Sequence, residues 1–150
     1  MALGYTPYKT PNAINLIGSD FTGKEGCGVF LSVQGGVDIA TSTTARPYGI
    51  VVVGGESQDG TYPGPIAGSA IEFVDQLGCV VQVTVSTTVV VDSFLLIDSS
   101  AADGTFTDTS NQTPAIGDWV WGYALTNAQA GEQCLMRFQP FSVYSTYPGP

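Results

Sequence analysis

The chain has 150 residues, 43% of them hydrophobic and 11% charged, enough for one buried core and too apolar for intrinsic disorder. Thirteen carboxylates against four cations give a formal net charge of −9, which repels phosphate and removes nucleic acid and anionic membrane from the expected partners. Histidine is missing, which excludes Ser-His and Cys-His nucleophile pairs.

Residues 1–22 carry Tyr5, Pro7, Tyr8 and Pro11 and follow neither a period of 2 nor one of 3.6. They read as an extended N-terminal arm with a short apolar anchor at Ile14, Leu16 and Ile17. The first residues lack the charged start and apolar stretch of a signal peptide, so a reducing cytoplasm is the expected place of synthesis. Strands are predicted at Gly28–Val33 and Val37–Ala40, joined by a Gly35-Gly36 turn. Tyr48–Val53 is a continuously apolar run before Gly54-Gly55, the pattern of a strand buried on both faces. Glu56–Gly68, rich in glycine and proline, is predicted to be a surface loop.

Ala70–Val74 and Gly78–Val85 are the next expected strands. In the second, Cys79, Val81, Val83 and Val85 share one face and Val80, Gln82, Thr84 and Ser86 the other. Phe94–Ile97 follows, then a polar stretch, Asp98–Thr113, with room for one short hairpin around Phe106. Asp118–Leu125 and Glu132–Phe138 form a last pair. Simple alternation there puts Trp119, Trp121 and Tyr123 on one face and Val120, Gly122 and Ala124 on the other. No segment of helical length has a 3.6 period with caps. The expected fold is all-β: a small antiparallel β-barrel or sandwich over residues 23–140, with the N-terminal arm before it and an aromatic C-terminal tail at 141–150.

Chemistry-bearing patterns are sparse. Cys27, Cys79 and Cys134 are odd in number, widely spaced and set beside apolar runs, as expected of buried reduced thiols. Asp98, Asp103 and Asp108 are spaced five and five, unlike a calcium loop, and read as a solvated acidic loop. No catalytic residue, metal site or cofactor is expected, and the chain does not read as an enzyme. Aromatic residues concentrate instead in the arms and one loop. The contact candidates are Tyr5, Tyr8, Ile14, Leu16 and Ile17 in the arm, Tyr62 in the loop, and Phe141, Tyr144 and Tyr147 in the tail. Tyr62 and Tyr147 sit in a repeated segment, Thr61-Tyr-Pro-Gly-Pro65 and Thr146-Tyr-Pro-Gly-Pro150.

Two stretches carry a resemblance: Tyr48-Gly-Ile-Val-Val52, and Gly117 to Glu132 with Val120, Gly122, Ala124, Leu125, Ala128, Ala130, Gly131 and Glu132. In that order, with Gly78 and Val81 loosely between them, they resemble the capsid decoration, or cement, proteins of tailed bacteriophages over roughly residues 26–139. Trp121 is an insertion against that pattern, and the long arm, the 56–68 loop and the aromatic tail depart from it. The resemblance implies a small β-barrel on the outer surface of a virion. It would bridge major capsid subunits as a homo-oligomer, a trimer favoured and a dimer the alternative. A carbohydrate- or receptor-binding β-module is the competing expectation, which indoles of Trp119 and Trp121 presented to solvent would favour.

Overall fold

In the computed structural model, residues 8–9, 21, 23–32, 37–53 and 72–144 are described. They contain ten strands and no helix: β1 (Tyr8–Lys9), β2 (Gly28–Leu31), β3 (Val37–Ile39), β4 (Gly49–Val53), β5 (Glu72–Val74), β6 (Val80–Thr84), β7 (Phe94–Ile97), β8 (Phe106–Asp108), β9 (Trp119–Ala124) and β10 (Gln133–Ser142). Two antiparallel five-stranded sheets form, ordered β1-β5-β4-β2-β3 and β6-β10-β9-β7-β8. Neither closes on itself, so of the two expected architectures the sandwich is the one adopted. The expected hairpin turn at 35–36, the 56–68 loop and the 61–65 and 146–150 repeat lie outside the described residues.

The core follows from the side-chain alternation. Ile50 and Val74 of the first sheet meet Val81, Val83, Leu95, Ile97, Met136 and Phe138 of the second. Trp121 lies among them, fully buried, with Phe106 edge-on at 5.4 Å between ring centroids. Each large aliphatic or aromatic side chain withdrawn from water in this way stabilises the fold by about 1.5–3 kcal/mol. The continuous apolar run of β4 behaves as expected of a strand covered on both faces. Ile50 enters this core, while Val51 points the other way into a second cluster with Cys27, Val29, Val37, Ile39 and Phe73. Phe21 is fully buried in that second cluster, ahead of the expected start of the body at residue 23.

Gly26 ties the sheets together along one edge. Its N–H donates to Val51 O at 2.9 Å, and Val51 N–H donates to Cys27 O at 2.9 Å, so two residues oppose one in a β-bulge. On the other side, Thr84 N–H donates to Gly26 O at 3.0 Å and Thr84 Oγ1–H to Glu25 O at 2.8 Å. Cys27 N–H closes a turn onto Lys24 O, and that turn holds Gly26 at φ +83°, where glycine has no rival. A Cβ here would lie 2.7 Å from Thr84 N.

The last strand pair departs from simple alternation. Trp121 and Ala124, assigned to opposite faces by sequence, both enter the core, and Trp119 packs against its margin. The reversal occurs at Gly122, where a Cβ would point at Arg137 O and make a contact no side chain tolerates. Across from it, the register of β10 shifts between Phe138 and Phe141, with Gln139 and Pro140 bulged. Proline needs no ladder partner for its nitrogen there, so β10 passes its expected end at Phe138 and runs to Ser142. Val143, just beyond, is buried.

Candidate functional site

The outer face of the second sheet is the strongest feature for partner contact among the described residues. Val81, Val83, Cys134, Met136 and Phe138 point into the core, which turns Val80, Gln82, Leu135 and Arg137 outward. Register extends this into a row across four strands: Val80 opposite Arg137, Arg137 opposite Tyr123, and Tyr123 opposite Phe94. Phe141 adds its ring edge-on to Phe94, with centroids 5.6 Å apart and planes at 81°. Val80, Phe94 and Phe141 are 47%, 38% and 41% exposed, values high enough that these apolar groups stand in water. Leu135 widens the row, and Ile116 and Tyr144 stand exposed at one end, where Gly117 N–H donates to Val143 O.

Arg137 lies at the centre of this row. Its Nη1–H donates to Gly78 O at 2.8 Å, which pins the guanidinium to the turn before β6. An aromatic and aliphatic surface with a fixed cation loses little side-chain entropy when covered, so a complementary face gains from it directly.

Of the contact candidates read from sequence, Phe141 lies within the row and Tyr144 beside it, 86% exposed. Tyr8 occupies β1, paired with Val74, and its side chain is outside the described set. Tyr5, Ile14, Leu16, Ile17, Tyr62 and Tyr147 lie outside the described residues. Sequence reasoning missed Phe94, Tyr123, Val80, Leu135 and Arg137. The outward positions of Val80 and Leu135 were present in the alternation of β6 and β10, whereas Phe94 opens a run with no polar residue to mark its face.

The acidic stretch is not the solvated loop expected. Asp98 and Asp108 are 5% and 2% exposed. Asp98 accepts hydrogen bonds from Ser100 N–H and Oγ–H, Ala101 N–H and, across the sheet end, Ser86 Oγ–H at 2.5 Å. Asp108 accepts from Ser110 N–H and Oγ–H and from Asn111 N–H and Nδ2–H. Asp118 joins Thr43 Oγ1–H at 2.7 Å to Ala115 N–H at 2.7 Å, linking the loop before β4 to the turn before β9. These carboxylates organise turns by satisfying local donors. Burial pushes the Asp98 carboxyl up, but the donors from Ser100, Ser86 and Ala101 outweigh it and hold it below its ordinary value. Among the described residues no group of three or more His, Cys, Asp or Glu side chains is arranged to hold a metal ion.

The two indoles do not form a stacking platform. Trp121 is fully buried, and its Nε1–H has no hydrogen-bond partner among the described residues. Trp119 is half-buried, with the Arg46 guanidinium 5.7 Å from its ring centroid. The exposed indole pair that would favour a sugar-binding module is therefore not present. The three cysteines are unpaired thiols, as expected from their surroundings. Burial pushes Cys27 and Cys134 up to about 11 and also raises Cys79, which is half-buried.

The chain matches no protein-family model, and no curated protein is significantly similar to it.

Proposed function

We propose that this chain is a structural virion protein that seats on the outer surface of a tailed-phage capsid and holds neighbouring major capsid subunits together. The reading rests on the order of the segments Tyr48–Val52 and Gly117–Glu132, and on one structural observation. That observation is the row Val80, Arg137, Tyr123 and Phe94 with Phe141, presented on a hydrogen-bonded sheet. Exposed apolar patches on otherwise soluble domains mark interaction surfaces. The protein works by adhesion, without making or breaking a bond. Repetition of one modest contact over a closed oligomer, a trimer in the favoured arrangement, multiplies affinity through effective concentration. The net charge of −9 steers it toward a basic surface.

The test is co-sedimentation of purified protein with capsids lacking it, followed by electron microscopy of the particles. Wild type is expected to coat them and raise the temperature at which they release DNA. A Phe94→Ser/Phe141→Ser variant with an unchanged circular dichroism spectrum is expected to leave them bare. Full occupancy by that variant overturns the assignment of this face. Failure of the wild type to bind any such particle overturns the function. Deletion of residues 1–17 tests the arm separately, with loss of coating by a folded domain as the expected outcome.

A further inference from the structure

A slot opens where the two sheets part beyond Gly26. Its volume is about 230 Å³, and it is lined by Val51, Val52 and Val74 of the first sheet and Val80, Val81 and Gln82 of β6. β6 is the outermost strand of its sheet, and no described strand pairs with its free side. β2 would continue into this space, but the chain turns away at the Lys24–Cys27 turn.

We infer that this slot accepts an extended segment of a partner polypeptide, which adds as a strand along the free edge of β6. The edge is competent for pairing, because Thr84 already donates across it to Gly26 O. Val85 N–H points the opposite way, to Glu132 O, so alternation aims the Val80 and Gln82 amides into the slot. Those two positions span about 7 Å of strand, and the volume suits a run of two or three residues. The valine floor takes small or β-branched side chains from the inward-facing positions of the incoming strand. The chain as a whole is strongly acidic, with a net charge of −9, so the partner segment carries lysine or arginine at its flanks. The slot borders the aromatic row at Val80, and a peptide titration without capsid reads occupancy of the slot alone.

The probe is a fluorescein-labelled heptapeptide of alternating valine and threonine flanked by lysines, titrated into the full-length protein by fluorescence anisotropy. Saturable binding is expected, with the Gln82 amide gaining protection from hydrogen exchange. Gln82→Pro removes the amide aimed into the slot and spares the ladder to β10, so it is expected to weaken binding at least about tenfold, or about 1.4 kcal/mol. Methylating alternate amides of the peptide blocks the same rungs and decides the matter should the proline variant fail to fold. Absence of saturable binding, equal affinity for Gln82→Pro, or equal affinity of the methylated peptide overturns the proposal. A glutamate-flanked peptide that binds as tightly overturns the basic character assigned to the partner.

Discussion

Gly26 and Gly78 share a φ of +83° but differ in their surroundings, and that difference isolates the contribution of the junction between the sheets. At Gly78 a Cβ would meet nothing within 4 Å, so alanine there costs the left-handed backbone alone, about 1–2 kcal/mol. At Gly26 the same Cβ would lie 2.7 Å from Thr84 N and 3.1 Å from Val83 C, both backbone atoms that cannot swing aside. Relief requires β6 to move and the Thr84 N–H bond to Gly26 O to break, a further loss of about 0.5–1.5 kcal/mol. Gly26→Ala should therefore destabilise by about 1.5–3.5 kcal/mol. At about 2–4 °C per kcal/mol for a chain of this size, its melting temperature falls by about 3–14 °C, against about 2–8 °C for Gly78→Ala. Thermal denaturation followed by circular dichroism on both variants in one buffer makes the comparison. Equal melting temperatures would refute the claim that Gly26 joins the sheets through packing rather than through its backbone angle alone.

Three other outcomes are expected. Asp98→Asn should lower stability at neutral pH by about 1–3 kcal/mol, because buried donors lose a charged acceptor. The folded carboxyl sits below its ordinary value, so its stabilisation is present above about pH 4 and is lost as pH falls through the folded value. The gap between wild type and variant in urea melts should accordingly narrow below pH 4, and a constant gap contradicts the assignment. At pH 8 a chromogenic disulfide should modify Cys79 readily and Cys27 and Cys134 only after denaturant is added; three equally fast thiols would refute their burial. Trp121→Ala should cost about 3–5 kcal/mol, whereas Trp121→Phe, which also removes a buried N–H without an acceptor, should cost well under half of that in chemical denaturation.

Strand identity was legible where one pattern dominated. The alternation in Val80–Thr84 and the apolar run from Tyr48 each predicted a burial scheme that the structure bears out, the latter at Ile50 and Val51. Face assignment failed in β9 because it depends on Gly122 and on a bulge seventeen or more residues away at Gln139 and Pro140. Local periodicity carries no information about a register shift in the neighbouring strand. The aromatic row was half legible for the same reason. Phe141 stood out as a tail aromatic, but its ring contact with Phe94, the register partner of Tyr123, is a product of cross-strand pairing. The aspartates of the polar stretch misled because solvent exposure was inferred from composition, whereas each one gathers its own neighbours' N–H and hydroxyl groups.

Strands β1 to β5 all precede residue 75 and build one sheet, while β6 to β10 follow residue 79 and build the other. During synthesis the ribosome therefore releases the whole of the first sheet before the last strand of the second has been made. Until then the nascent chain displays Ile50 and Val74 under an incomplete opposing layer, a sticky surface of the kind chaperones shield. Final closure must wait for translation of Met136 and Phe138.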